Sequence, residues 1–240
     1  KGRYIPRNNQ SIADLCRRVG VNDLLVVTTQ GLKCYPCAEG KPFVFHPNAA
    51  MLRIRQLLQG RQDPLQRYAG LKEGMSFLDC TLGLGADSIV ASFLVGPGGK
   101  VVGVEQVPVV AAIVKDGLQT FETEKKVINE AMRRIQVICA DHLSYLKQCE
   151  DNQFDVVFFD PMFESTVDAS TGIAPLKRLA SYADLREEAV REACRVAKRR
   201  VVLKDSRHST RFERFGFTPF VRPKASHWYG IIDVERDPEG

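Results

Sequence analysis

The chain has no apolar run of membrane-spanning length, no stretch that reads as a secretion signal, no internal repeat and no low-complexity segment. A helical membrane protein and a repeat array are therefore not expected, and neither is a membrane partner. A metal centre is short of ligands. Cys34 and Cys37 form one Cys-x-x-Cys, but no second pair exists and His46 is the only histidine close by. Zinc wants four such groups, so no metal is expected, and the pair reads as two cysteines of a β-hairpin. The seven cysteines are odd in number and scattered through apparent strands and helices. That pattern argues for a reducing compartment, hence a cytoplasmic location. What is present is ordinary in bulk: 240 residues, 44% hydrophobic and 26% charged, enough for one sizeable core and a small extra module.

The net charge of +5 is unevenly spread. Residues 1–67 carry net +7, residues 68–197 net −6, residues 198–224 net +7 and the tail net −3. A neutral-to-acidic middle between basic flanks suits a polyanion such as RNA reaching a central site, although solvated surface charge gives the same count.

Within the acidic middle, two segments carry chemistry. The first is MSFLDCTLGLGADS, Met75 to Ser88. An apolar strand leads to Asp79, a loop follows with Gly83 and Gly85, and a helix begins at Ala86. Strand, glycine turn and helix open a nucleotide-binding α/β unit, because glycines let the backbone approach a ligand. A second strand ends at Glu105, whose carboxylate suits the two hydroxyls of a ribose. Ser88 replaces the third glycine of the dinucleotide fingerprint, and Asp79 and Asp87 bracket the place of a pyrophosphate. Like charges there oppose a dinucleotide and suit a ligand bearing an ammonium. S-adenosylmethionine has the ribose, the ammonium and a sulfonium. Asp87 also reads as a first-turn acid that complements the helix dipole.

The second segment is QFDVVFFDPMF, residues 153–163. A buried-looking strand runs into Asp160, Pro161, Met162 and Phe163. Carboxylate and carbonyls accept from a flat amine-bearing ring, proline adds no competing donor, and Phe163 offers a stacking face. An Asp-Pro turn at a strand end is the plainer reading. A third strand ends at Cys139-Ala140-Asp141-His142, where Asp141 suits the adenine amino group and His142 flanks the ring or faces solvent.

The chain divides near residue 62. Residues 1–62 read as a small α+β module: a helix over Ile12 to Val19 capped by Ser11, three short strands, and a helix from about Ala49 to Leu58 carrying Arg53 and Arg55. Asp63 to Gly74 reads as a linker and lead-in. Residues 63–240 alternate strand and helix, which predicts a mostly parallel sheet with helices on both faces. Predicted strands are 76–79, 101–105, 136–140, 156–159 and 201–204. Helices begin near Ala86, Pro108, Leu143 and Tyr182, the last capped by Ser181 with Asp184. Phe217 to Val221 and Trp228 to Val234 close the sheet as an antiparallel hairpin.

DCTLGLGAD at 79–87, VVGVEQ at 101–106, CADH at 139–142, FFDPMF at 158–163 and RRVVLKDSRH at 199–208 together resemble a class I S-adenosylmethionine-dependent methyltransferase. More narrowly, they resemble the RsmJ-like family of small-subunit ribosomal RNA guanine-N2 methyltransferases. The resemblance implies a Rossmann-like methyltransferase sheet, with cofactor contacts at Ala86, Asp87, Glu105, Gln106, Asp141, His142 and Asp160. It also implies that the N-terminal module helps hold RNA. Arg53, Arg55, Lys204 and Arg207 are offered as phosphate or base contacts. Three rivals stand beside this reading: an adenine-N6 or DNA methyltransferase, a nicotinamide dehydrogenase, and a non-catalytic RNA-binding protein on the same fold.

Overall fold

The computed structural model describes residues 4–36, 41–161, 185–223 and 225–234. Helix α1 (Ile12–Val19) begins where the Ser11 hydroxyl accepts the Asp14 amide and ends at left-handed Gly20. Strands β1 (Asp23–Thr28), β2 (Gly31–Pro36) and β3 (Phe43–Val44) form a separate antiparallel sheet in that order. Helix α2 (Asn48–Leu58) follows, and then a π-helical turn, Leu65–Ala69.

The larger sheet holds seven strands. They are β4 (Ser76–Asp79), β5 (Lys100–Glu105), β6 (Ile135–Cys139), β7 (Phe154–Phe159), β8 (Ala197–Ser206), β9 (Thr218–Phe220) and β10 (His227–Asp233). Their order is β6-β5-β4-β7-β8-β10-β9. The first five in that order run parallel, while β10 is antiparallel to both β8 and β9. The mostly parallel sheet with its closing antiparallel hairpin is the predicted one. Between strands lie α3 (Ala86–Val95), α4 (Pro108–Thr120), α5 (Lys126–Arg133), α6 (His142–Leu146), α7 (Glu187–Val196) and α8 (Arg211–Arg214). Sequence reading has no counterpart for α5. The predicted capping pair Ser181 and Asp184, and the start near Tyr182, lie outside the described residues.

Strand side chains alternate between two buried clusters, one on each face of the sheet. Phe77, Val101, Val156, Phe158 and Val202 join one. Leu78, Val102, Val157, Phe159, Val201 and Leu203 join the other. The first cluster also takes in Cys34, Phe43, Phe45, Ala50 and Ile54. The N-terminal segment therefore has its own sheet but shares the core of the larger unit. Asp116 on α4 accepts the Leu32 amide at 3.0 Å, and Phe45 lies over Gly117.

A Cβ on Gly117 would stand 2.2 Å from the Phe45 ring. Gly117→Ala is therefore expected to destabilise by about 1–3 kcal/mol through overpacking, although alanine is the better helix former by about 1 kcal/mol. Urea unfolding reads the sum, and a gain in stability would show that Phe45 has room to move.

Cys80, Cys139, Cys149 and Cys194 are free thiols, whereas Cys16 is disulfide-bonded, a departure from the expected reduced set. No helix among the described residues is long and apolar enough to cross a membrane.

Candidate functional site

The sheet reverses its winding at β4, with β5 on one side and β7 on the other. Ligand crevices form outside the carboxyl ends of strands at such a point. Asp79 ends β4 and pairs with Gly103 on β5 and Phe158 on β7. Glu105 and Asp160 each lie two residues beyond those partners, so the acids stand at one level on either side of the loop after β4.

That loop is braced from within. The Asp79 carboxylate accepts from the Ser88 hydroxyl at 2.7 Å and the Thr81 amide at 3.0 Å. The Thr81 hydroxyl in turn accepts from the Asp160 amide at 2.6 Å. Asp79 is buried, and burial pushes its carboxyl up to about 7 despite the Ser88 hydrogen bond. Its oxygens are turned into the loop, not into the crevice. Gly83 and Gly85 have φ of 49° and 75°, left-handed values that favour glycine. The Gly83 amide donates to Glu105 at 3.1 Å, and the Val107 amide donates to the other Glu105 oxygen at 2.9 Å. Glu105 thus fixes the glycine loop to the start of α4, beside Gln106, and each oxygen keeps a lone pair for a further donor. Burial raises its carboxyl above the ordinary range, against the pull of those amides.

Asp141 caps α6, accepting from the Ser144 amide at 2.9 Å and from its hydroxyl at 3.0 Å. Burial would raise its carboxyl, but these bonds hold it below the ordinary range. His142 meets the Phe159 ring edge-on at 5.8 Å between centroids. Burial lowers its pKa, so the ring is neutral. Its Nε2 is buried with no hydrogen-bond partner among the described residues. A buried polar atom without a partner is uncommon and points to a group that comes and goes. The loop, Glu105 and His142 together fit a purine nucleoside with a ribose, which is the adenosyl half of S-adenosylmethionine.

On the other side of Asp160 the structure assembles an ion-pair chain. Asp160 is level with Lys204, because Phe159 pairs with Leu203 in the β7–β8 ladder. Lys204 Nζ lies 2.6 Å from Asp160 Oδ2 and 3.0 Å from Asp87 Oδ2. Arg53 reaches the second oxygen of Asp87 at 2.6 Å and holds Asp63 with two bonds of 2.8 Å. Burial alone would raise Asp87, but Lys204 and Arg53 outweigh it and hold the carboxyl far below the ordinary range. Burial pushes Asp160 up to about 6 against the pull of Lys204, with Asp87 adding to the rise. Lys204 is raised, since Asp160 and Asp87 overcome its burial.

Two sequence expectations change in this light. Arg53, offered to phosphate, and Lys204, offered to phosphate or base, each pair with carboxylates in this structure. Asp87 was offered to a ligand ammonium and is already held by two cations. Arg55 and Arg207 are exposed, and the Arg207 side chain donates to His208 at 2.9 Å. Ala86, Asp87, Arg53 and Lys204 line a cavity of about 320 Å³ together with Arg61, Arg222, His227 and Tyr229. Pro161 is buried beyond Asp160. Met162 and Phe163 lie outside the described residues. Sequence reading missed Asp63, Thr81, Arg61, Arg222 and Tyr229. Asp63 sits in an Asp-Pro dipeptide that resembles a turn, and the others carry no local pattern.

A family model for SAM-dependent methyltransferases matches residues 19–216. The chain is 48% identical over 231 residues to the protein YpiP of Bacillus subtilis (strain 168), covering 96% of this chain and 89% of that protein. It is 30% identical over 177 residues to Ribosomal RNA small subunit methyltransferase J of Coxiella burnetii (strain RSA 331 / Henzerling II), covering 72% of this chain and 67% of that one. The protein of the same name from Buchnera aphidicola subsp. Acyrthosiphon pisum (strain APS) is 38% identical over 105 residues, which is 43% of this chain and 41% of its own length. Among solved structures, a SAM-dependent methyltransferase from Neisseria gonorrhoeae is similar with a TM-score of 0.64 at 20% identity, over 89% of this chain and 83% of that chain. At that identity the likeness is one of fold.

Proposed function

The chain belongs to the SAM-dependent methyltransferase family, and from that premise we propose that it methylates an exocyclic amine of a nucleobase, guanine N2 of small-subunit ribosomal RNA in particular. The cofactor is S-adenosylmethionine. The observation that carries the amine reading is Asp160, a carboxylate at the switch point whose Oδ1 makes no hydrogen bond to a described residue while Oδ2 is held by Lys204. The relatives named as ribosomal RNA methyltransferases support the choice of RNA, as do the basic flanks.

S-adenosylmethionine supplies a methyl carbon on a positively charged sulfur that leaves with the bonding pair as a neutral thioether. Glu105 holds the ribose, and Asp141 and His142 hold the adenine. Asp160 accepts from the target amine, whose lone pair is otherwise spread into the ring, and aims it at the methyl carbon. Alignment of this kind is worth up to several kcal/mol. The nitrogen turns cationic as it takes the methyl and then sheds a proton to water, and the Asp160 charge stabilises that cation. Pro161 offers its carbonyl as a second acceptor. Phe163 stacks on the base, at about 1–3 kcal/mol, and the base has to leave any helix to arrive. Arg61, Arg222 and Arg55 offer charge to the flanking phosphates.

Glu105→Ala is expected to weaken S-adenosylmethionine binding at least tenfold, since a lost hydrogen bond to a charged group costs about 1.5–3 kcal/mol. Calorimetry measures it, and an unchanged dissociation constant places the ribose elsewhere. The reaction itself is tested by labelled methyl transfer to ribosomal RNA and to small subunits lacking the modification, followed by nucleoside digestion. Label in N2-methylguanosine is the expected result. Label in N6-methyladenosine overturns the choice of base, and transfer to neither RNA nor subunit overturns the proposal.

A further inference from the structure

We propose that Lys204 is a positioning residue: it clamps one oxygen of Asp160, keeps that carboxylate an acceptor, and is itself fixed by ion pairs running through Asp87 and Arg53 to Asp63. This rests on the reading that Asp160 receives the substrate amine. The geometry is continuous. Asp63 and Arg53 are joined by two bonds of 2.8 Å, Arg53 and Asp87 by one of 2.6 Å, Asp87 and Lys204 by one of 3.0 Å, and Lys204 and Asp160 by one of 2.6 Å. The chain runs from Asp63 after α2, through Arg53 on α2, Asp87 at the start of α3 and Lys204 near the end of β8, to Asp160 just past β7.

The count of charges explains its purpose. Three carboxylates share two cations, so one negative charge is left over. The Asp63 and Asp87 side chains are 3% and 8% exposed, whereas Asp160 is 25% exposed. The surplus therefore settles on Asp160, at the open end where a substrate arrives. Arg53 satisfies one oxygen of Asp87, so Lys204 is not drawn wholly to that residue and still reaches Asp160. Without Lys204, Asp160 would face Asp87, Asp205 and Asp79 in a poorly solvated place, and like charges there favour protonation. A protonated carboxyl donates as well as accepts, and it no longer stabilises a cationic nitrogen. Other charged or titratable groups near Lys204 are Tyr229, paired with it across the β8–β10 ladder, and His227, neutral because burial first, then Lys204 and Arg222, lower it to about 4. Asp205, the next residue along β8, is held by Arg211 at 3.0 Å.

The test is carbon-13 NMR titration of the Asp160 carboxyl, assigned by its loss in Asp160→Asn, in wild type, Lys204→Met, Lys204→Arg and Arg53→Met. Wild type is expected to titrate near 6. Lys204→Met is expected to shift this upward by about one unit or more, Arg53→Met by less, and Lys204→Arg is expected to stay near wild type. The acid limb of kcat moves with the carboxyl: at pH 6 Lys204→Met loses about fivefold or more and recovers at high pH, with KM for S-adenosylmethionine little changed. A merely structural lysine would lower kcat evenly at all pH. An unmoved Asp160 titration in Lys204→Met overturns the proposal. If that variant does not fold, an unmoved titration in Arg53→Met does so. The titration needs no turnover, so a shift as stated in a protein that methylates no RNA would sink the proposed reaction and leave the positioning role intact.

Discussion

Replacing Asp160 by alanine is expected to lower methyl transfer by about a thousandfold or more while S-adenosylmethionine still binds. The residues that fit the adenosyl half, Glu105, Asp141 and His142, stand on β5 and at the start of α6, and the variant leaves them in place. What it removes is the carboxylate just past β7 whose Oδ1 makes no hydrogen bond to a described residue and is therefore open to an amine. Losing one preorganised charged acceptor costs about two to three orders of magnitude, and losing the alignment it gives costs more. Folding should survive, because Lys204 keeps Asp87 as a partner at 3.0 Å. Single-turnover transfer with saturating cofactor measures the effect. Wild-type-like rates in a variant with normal cofactor affinity would remove Asp160 from the reaction.

Asp87→Ala is expected to cost about 3–5 kcal/mol of folding stability, the usual penalty for breaking a buried charge pair by one partner. Asp87 is 8% exposed and neutralises two cations, Arg53 at 20% and Lys204 at 17% exposure. Its removal takes away the bridge between them: Arg53 keeps Asp63 and Lys204 keeps Asp160, but the two cations then lie near each other with little water. Urea denaturation at pH 7 measures the loss, and a cost under about 1 kcal/mol would mean that the network is solvated. The pH dependence has a definite sign. The native carboxyl of Asp87 is held far below its ordinary value by Lys204 and Arg53. Its stabilisation is therefore complete above the unfolded value of about 4 and fades only as pH falls from there toward the native value.

Much of this was legible along the chain. Strands β4, β5 and β7 announce themselves as short apolar runs ending in acids, since a parallel strand buried on both faces has no polar alternation to confuse it. The glycine loop after β4 is visible because left-handed turns need glycine. Helix α1 is visible through its Ser11 cap. Helix α5 is hidden: only Ile128, Ala131 and Met132 are buried in it, and Lys125 at its start offers no cap. The turn at Leu65–Ala69 is hidden behind an Asp-Pro dipeptide that usually breaks structure. The ion-pair chain is hidden for a different reason. Its partners lie 10, 34, 117 and 44 residues apart. Nothing in one sequence marks which acid and which base will meet across a fold. Sequence chemistry therefore named Arg53, Asp87, Lys204 and Asp160 singly and gave each to a ligand, whereas the folded chain also joins them to one another.

We propose that one crevice at the carboxyl edge of the sheet brings the methyl donor up to Asp160. A crystal structure with bound S-adenosylhomocysteine tests it most directly. Ribose hydroxyls are expected on Glu105, adenine beside Asp141 and His142, and the sulfur facing Asp160 across the glycine loop. A ligand seated instead in the cavity of Arg61 and Arg222, with Glu105 untouched, would contradict it.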